Sequence, residues 1–292
     1  MARRTPTDTV DADLLFCPFT QPTFARDGLP NVAVVHDLQH VEYPNFFTHE
    51  QRVGRQHHVE QACARAERVV CVSDYTRQTL LAHFRVDPAR VVTIRHGVLR
   101  MPTQEGASSD PPYLLYPANF WPHKNHVRLF EGLRSFRNAR SALDLRLVCT
   151  GAPNSHQQHL RRVAEDMLGS DVVEFPGYVT SAALDTLLAN CAALIYPSLY
   201  EGFGMPVLEA MARGKPVLCS TATSLPEVAG DAAVYFDPFD VGQMVRALEC
   251  LFDYPEDVAQ RVAYGRMRAA QFGDARRVAW MYQQVFEEVL AG

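Results

Sequence analysis

Two glutamates, Glu201 and Glu209, flank a glycine-containing segment with the sequence Glu-Gly-Phe-Gly-Met-Pro-Val-Leu-Glu. The apolar run before this segment predicts a buried strand, and the apolar periodicity after it predicts a helix. Pro206 fits the first position of that helix, and Gly214 fits the left-handed cap at its end. One carboxylate therefore precedes the helix while the other lies about one turn inside it, so both border the same concavity. Such a pair suits hydrogen bonding to sugar hydroxyl groups.

The glycines between the two carboxylates point to a related ligand. Gly202 and Gly204 let the backbone approach a ligand closely. The helix start behind them offers N–H groups and a partial positive charge, which suit a phosphate. Taken singly, each glutamate is explained as a solvated surface charge, and a Gly-x-Gly as an ordinary tight turn. The combination at this spacing favours a site for a phosphate or a sugar.

Short apolar runs alternate with helical patterns along the chain, which predicts an α/β fold with parallel sheets flanked by helices. The predicted strands are residues 14–17, 32–36, 69–72, 91–94, 113–116, 145–149, 172–175, 192–196, 216–220 and 233–236. The predicted helices are residues 48–66, 127–136, 156–168, 182–190, 206–212 and 241–252, with one or two more over residues 257–290.

A segment rich in proline, glycine and serine, residues 101–112, interrupts this alternation and predicts a domain boundary. We therefore predict a Rossmann-like domain over residues 1–102 and a linker over residues 103–112. A second, complete Rossmann-like domain follows over residues 113–270. Residues 271–292 are predicted as a terminal helix.

Composition excludes several classes of protein. The 292 residues are 47% hydrophobic and 21% charged with a net charge of −5, which is typical of a soluble globular protein and gives no broad basic surface for nucleic acid. No apolar run approaches the roughly 18 to 20 residues that span a bilayer, and the first residues lead into no signal-peptide core, so we expect a cytoplasmic protein. The seven cysteines are scattered without a C-x-x-C pair, which favours reduced core thiols. The D-x-D that begins at Asp11 precedes the first predicted strand, so we expect no metal site there.

Ligands of open parallel sheets bind beyond the carboxyl ends of the strands, and unusual residues stand at several of these positions. His36 ends the second predicted strand and is followed by a long aromatic loop, which suits a sugar-binding edge. Lys124 stands near a predicted helix start, where a cation is unfavourable unless an anion binds beside it. Either residue alone is more often structural or solvated. We interpret His40, His57 and His58 as surface residues.

Residues 196–220 resemble the nucleotide-sugar signature of retaining glycosyltransferases of the GT-B type, in the large family four that includes bacterial mannosyl- and glucosyltransferases. The sequence Asn-Phe-Trp-Pro-His-Lys-Asn at residues 119–125 is similar to that of a bacterial O-antigen or exopolysaccharide mannosyltransferase subgroup. The resemblance implies two Rossmann-like domains, with the terminal helix packing back on the first. It also implies an incomplete N-terminal domain, since family members begin with a glycine-rich turn that does not precede Asp11 here. An incomplete sheet exposes a strand edge, which predicts pairing with another copy of the chain.

The resemblance also assigns roles to individual residues. Glu201 and His36 contact the donor sugar in the catalytic step. Glu209 holds the ribose hydroxyls, and Lys124 neutralises the diphosphate. The remaining donor contacts that the resemblance implies are Asn119, which stands where many relatives carry an arginine, the backbone of Gly202, Phe203, Gly204 and Met205, and, for the base, Tyr178 and Val179.

The implied reaction transfers a hexose to a glycan or lipid-linked glycan acceptor with retention, and mannose from GDP-mannose is favoured over a UDP-hexose. It uses no cofactor and no metal, because Lys124 and the helix start meet the charge of the leaving group. Two alternatives stay open: a nucleotide-sugar-binding remnant without transfer activity, and a nucleotide-sugar epimerase or phosphorylase on the same fold. Peripheral contact with a membrane is also left open.

Overall fold

The computed structural model of the chain describes residues 11–21, 25–98 and 109–292. The chain divides into two compact units, Met1–Ile94 together with Ala279–Gly292, and Arg95–Val278. Most of the predicted linker, residues 103–108, lies outside the described residues. Residues 95–98, which we predicted within the first domain, group with the second unit, where the Val98 N–H donates to the Gly273 carbonyl over 2.9 Å.

The first unit contains one four-stranded parallel sheet. Its strands are β1 (Leu15–Cys17), β2 (Asn31–Val35), β3 (Arg68–Cys71) and β4 (Val91–Thr93), and they are paired in that order. Its helices are α1 (Gln39–Glu42), α2 (His49–Arg65) and α3 (Asp74–His83), and two single 3₁₀ turns span Pro44–Phe46 and Pro88–Arg90. Every residue of β2 is buried, as expected for a strand that is covered on both faces.

The prediction that His40 is a surface residue is wrong. His40 is only 5% exposed. The residues after β2 form the short helix α1 instead of an open loop, and this turn directs His40 inward. Burial lowers the pKa of His40, so its ring is neutral near neutral pH. His57 is exposed and His58 is half-buried, both on α2.

The second unit contains a six-stranded parallel sheet. Its strands are β5 (Tyr113–Pro117), β6 (Arg146–Thr150), β7 (Val173–Gly177), β8 (Ala193–Tyr196), β9 (Val217–Ser220) and β10 (Ala233–Phe236). They are arranged in the order β10-β9-β8-β5-β6-β7. The helices are α4 (His126–Ala139), α5 (Ser155–Leu168), α6 (Ser181–Asn190), α7 (Met205–Ala212), α8 (Leu225–Ala229), α9 (Val241–Asp253) and α10 (Pro255–Phe272), with 3₁₀ turns at Pro122–Lys124 and Gly230–Ala232.

The last helix, α11, spans Ala275–Ala291. From Ala279 onward it belongs to the first unit, where the rings of Tyr282 and Phe286 pack edge-on against Phe16. Within the described residues, no helix combines the length and the apolar character that crossing a bilayer requires.

Polar side chains explain where many of the helices begin. A serine, threonine, asparagine or aspartate at the N-cap accepts a hydrogen bond from a backbone N–H of the first turn, which would otherwise lack a partner. The side chains that cap α2, α3, α5, α6 and α9 in this way are Thr48, Ser73, Asn154, Thr180 and Asp240.

Candidate functional site

Two loops of the second unit meet where the strand order of its sheet reverses. From β5 the chain continues through β6 to β7 on one side, and then returns to place β8 on the other side of β5. Such a switch point opens a crevice at the carboxyl ends of the two strands, where ligands of open α/β sheets bind. The loop after β5 carries Lys124 and the loop after β8 carries Glu201. Sheet topology therefore brings together two of the predicted site residues.

Lys124 and Glu201 form a buried ion pair. Lys124 Nζ donates to Glu201 Oε1 over 2.6 Å, and each side chain is only 11% exposed. The ring of Tyr196 lies 5.5 Å from the ammonium group and adds a cation–π contact. The family resemblance implies a diphosphate contact for Lys124 and a sugar contact for Glu201. The structure adds that each is also the counter-ion of the other.

Buried hydrogen bonds hold the loop after β5, which carries Lys124, in place. The Tyr116 hydroxyl donates to the Lys124 carbonyl over 2.7 Å and lies 3.2 Å from Ser198 Oγ. Burial raises the pKa of Tyr116 well above its usual range, so the phenol keeps the proton that it donates. Asn125, with a φ of 61°, is the N-cap residue of α4 and its amide donates to the Pro197 carbonyl over 3.1 Å. The loops after β5 and β8 are thus joined to each other as well as to the core.

The backbone conformation at the start of α7 requires a glycine. Gly204 has a φ of 108°, and a Cβ at this position would lie 2.7 Å from Leu225 Cδ2. The helix begins at Met205, so Pro206 is its second residue, one later than we predicted. Gly214 follows the helix with a φ of 64°, which is the left-handed conformation that we expected. This geometry brings the helix start close behind the Glu201 loop.

Glu201 and Glu209 both affect the pKa of the buried Tyr196 hydroxyl. Burial raises the pKa of Tyr196 well above its usual range, and the negative charges of Glu201 and Glu209 add to this effect. Glu209 is half-buried on α7. The charges of both carboxylates therefore act on the last residue of β8.

Sequence reasoning missed the residues that hold Glu201 in place. Thr223 and Ser224 lie between β9 and α8, and β9 is the other neighbour of β8 in the sheet. The Glu201 N–H donates to Thr223 Oγ1 over 2.9 Å, and Ser224 Oγ lies 2.9 Å from the Glu201 carbonyl oxygen. A threonine and a serine in a polar loop carry no distinguishing pattern, so only the strand order shows what they touch.

Three other predicted donor contacts of the second unit, Asn119, Tyr178 and Val179, follow the ends of β5 and β7. Asn119 is exposed, and its side-chain oxygen accepts from the Ala152 N–H over 2.9 Å. Tyr178 is 79% exposed and Val179 is half-buried. Their roles toward a donor stay predictions.

His36 belongs to the first unit. It follows β2, and its Nε2 lies 2.6 Å from the Pro18 carbonyl oxygen. Its ring stacks on Phe19 with 6.4 Å between the ring centroids. The contact with a donor sugar that the resemblance implies for His36 stays a prediction.

The described part of the second unit contains one buried histidine, His126. His126, at the start of α4, is 2% exposed and packs against the rings of Tyr116, Phe120 and Phe130. Burial lowers its pKa to about 3, so the ring is neutral in the folded protein. Across the part of the chain that the structure describes, no three His, Cys, Asp or Glu side chains are grouped to hold a metal ion. All seven cysteines are free thiols.

Comparison with known families decides the family. The sequence profile described as "Glycosyl transferases group 1" matches residues 100–268, and the profile described as "Glycosyltransferase Family 4" matches residues 2–98. The chain belongs to the glycosyl transferases group 1 family. The match covers the loops that carry Lys124 and Glu201, and so confirms the resemblance that the sequence motifs indicated.

Two curated relatives are mannosyltransferases by name. The chain is 29% identical to the O-antigen chain mannosyltransferase B of Escherichia coli over 221 residues, which is 72% of this chain and 58% of that protein. It is 32% identical to the MMP alpha-(1->4)-mannosyltransferase of Mycolicibacterium hassiacum over 230 residues, which is 76% of this chain and 54% of that protein. The chain therefore spans little more than half the length of these two relatives.

A solved structure shows the same fold. The sucrose-phosphate synthase of Thermosynechococcus elongatus superposes with a TM-score of 0.79 at 19% identity, over 96% of this chain and 74% of that one. This likeness confirms the predicted α/β fold with two parallel sheets flanked by helices.

Proposed function

We propose that this protein is a retaining hexosyltransferase that moves mannose from GDP-mannose to a hydroxyl group of a glycan or lipid-linked glycan. The observation that carries the proposal is the buried pair of Lys124 and Glu201 at the switch point of the second sheet, beside the glycine-led start of α7. Family membership supports glycosyl transfer, and the names of the two relatives favour mannose.

Each part of the pair suits one part of a nucleotide-sugar donor. The Lys124 ammonium and the helix start at Met205 place fixed positive charge where a diphosphate would develop negative charge as it leaves. Glu201 offers a carboxylate that accepts hydrogen bonds from sugar hydroxyls, and Glu209 offers one for the ribose. The proposal thus assigns the diphosphate to Lys124 and the hydroxyl groups of the donor to Glu201 and Glu209.

In the proposed reaction the bond between the anomeric carbon and the phosphate oxygen breaks, and the acceptor oxygen bonds to the same carbon. The proton of the acceptor hydroxyl leaves with the nucleoside diphosphate, so atoms and charge balance. Lys124 stabilises the departing diphosphate, and we propose no metal for this step. Asn119, Tyr178 and Val179 would contact the nucleotide, and His36 would contact the sugar.

A transfer assay tests the proposal. GDP-mannose or UDP-glucose is incubated with the protein, with and without a mannose oligosaccharide, and both the released nucleoside diphosphate and the extended glycan are measured. We expect acceptor-dependent product from GDP-mannose, unchanged by EDTA, and loss of at least about tenfold in rate for Lys124→Met.

Lys215→Met is the matched control, since the sequence contains only these two lysines. Lys215 follows the far end of α7, and its Nζ donates to the Cys191 carbonyl over 3.2 Å. Product without an acceptor would favour the epimerase or phosphorylase alternative. Nucleotide binding without any turnover would favour the binding remnant.

A further inference from the structure

Thr223 adopts a backbone conformation that its side chain disfavours. Its φ is 54°, in the left-handed region that glycine or asparagine usually fills. Threonine is branched at Cβ, so this conformation is a genuine outlier for it. Strain of this kind persists only where the surroundings fix it, and it is concentrated at functional sites.

The surroundings that fix Thr223 are the backbone groups of Glu201. The Glu201 N–H donates to Thr223 Oγ1 over 2.9 Å, and the same hydroxyl donates to the Glu201 carbonyl over 2.9 Å. A single hydroxyl thus satisfies both backbone groups of the residue whose carboxylate pairs with Lys124. The left-handed turn brings this hydroxyl to face Glu201 from the loop after β9.

Ser224 extends the same support along the donor loop. Its hydroxyl is fully buried and lies 2.9 Å from the carbonyl oxygens of both Glu201 and Phe203. At the end of β9, Ser220 Oγ donates to the Ser198 carbonyl over 2.6 Å. The end of β9 and the loop after it therefore hold the loop after β8 in place through hydrogen bonds from side chains to backbone groups.

We propose that Thr223 is a positioning residue that sets the orientation of Glu201 toward the donor sugar, and that Ser224 supports it. The inference rests on the proposed function of the Glu201 site. It adds a source of specificity. Recognition of the donor sugar by Glu201 depends on Thr223, whereas recognition of the diphosphate by Lys124 does not. A purely structural threonine would instead affect every ligand of the crevice alike.

The test compares the nucleoside diphosphate with its sugar conjugate. Calorimetric titration gives Kd for GDP and for GDP-mannose, or for UDP and UDP-glucose if that pair binds. Kd of the nucleoside diphosphate divided by Kd of its sugar conjugate measures the contribution of the sugar. We expect Thr223→Ala to reduce this ratio about tenfold while Kd for the nucleoside diphosphate is unchanged or lower. Thr223→Ser, which keeps the hydroxyl, retains a ratio within about threefold of wild type.

Two further variants separate positioning from stability. Thr223→Gly removes the hydroxyl but also relieves the left-handed conflict, so we expect a higher Tm than that of Thr223→Ala together with the same loss of the sugar contribution. Thr186→Ala is the matched control, since the Thr186 hydroxyl donates to a backbone carbonyl on the exposed face of α6 over 3.1 Å. This control keeps the wild-type ratio.

Three results would overturn the inference. Thr223→Ala retaining the full sugar contribution would show that Glu201 needs no support from it. Equal weakening of both ligands in step with Tm would show a structural role only. If wild type binds neither nucleotide series, the proposed function fails and the inference fails with it, which distinguishes that outcome from the first two.

Discussion

Replacing Glu201 by glutamine should strengthen the binding of a nucleoside diphosphate while it abolishes sugar transfer. Glutamine keeps the shape of the side chain and removes its charge. Lys124, which now lies 2.6 Å from the Glu201 carboxylate, would then present its full positive charge to the diphosphate. The expected effects on binding and on turnover therefore have opposite signs.

The structure sets the size of the effect. A phosphate oxygen that accepts a hydrogen bond from Lys124 at about 2.8 Å would sit roughly 5 Å from the Glu201 charge. At an effective dielectric constant of about 20, the repulsion at that distance is about 3 kcal/mol per unit charge. Rotation of the Glu201 side chain and entry of water relieve part of it, so we expect a gain of about 1–2 kcal/mol, or roughly 5- to 30-fold in Kd.

Calorimetric titration with GDP and UDP, alongside the transfer assay, measures both effects. Glu227→Gln serves as the control, since Glu227 also accepts an ion-pair contact at 2.6 Å, from Arg95. We expect Glu201→Gln to lower the free energy of unfolding by about 1–3 kcal/mol, because it leaves the buried Lys124 without its counter-ion. An unchanged or weaker affinity for the nucleoside diphosphate would refute the reasoning, since it would mean that Glu201 does not compete with the diphosphate for Lys124.

Three other outcomes follow from the packing of the chain. Gly204→Ala should lower the free energy of unfolding by about 1–2 kcal/mol and weaken nucleotide binding, because an alanine disfavours the φ of 108° at this position. Tm and titration check this prediction, and wild-type values for both would contradict it. His126, with its pKa lowered by burial to about 3, binds a proton below pH 6.5 only in the unfolded state, so stability should fall as pH decreases from about 6.5 toward 3, by up to about 1.4 kcal/mol per pH unit. Urea unfolding at several pH values gives the free energy of unfolding as a function of pH. This free energy should change less with pH in His126→Phe than in the wild type, and an identical pH dependence would count against the neutral buried ring. Of the seven thiols, Cys250 alone is not buried, so a thiol reagent should label about one cysteine in the native protein and the others only after unfolding. Labelling of several cysteines before unfolding would be inconsistent with this packing.

The secondary structure was predictable because its signals are local. Each of the ten predicted apolar runs corresponds to a strand in the described residues, with ends that differ by at most two residues. Glycine and proline placed α7 to within one residue, because their backbone restrictions act at the position where they stand. These features need no knowledge of distant parts of the chain.

The contacts between loops were not predictable in the same way. The pairing of Lys124 with Glu201 depends on β5 lying beside β8, although β6 and β7 come between them in the sequence. The role of Thr223 depends on a left-handed backbone that its residue type argues against. The surface position predicted for His40 is wrong because the segment after β2 forms a four-residue helix, which turns this side chain inward.

The most direct test of a nucleotide-sugar site in the second unit is calorimetric titration of GDP, UDP, GDP-mannose and UDP-glucose into the wild-type chain and Glu209→Ala. We expect one nucleotide series to bind, with GDP-mannose bound more tightly than GDP, and Glu209→Ala to weaken both members by about tenfold through loss of the ribose contact. Absence of binding by every one of the four ligands would contradict the assignment of this crevice as a donor site.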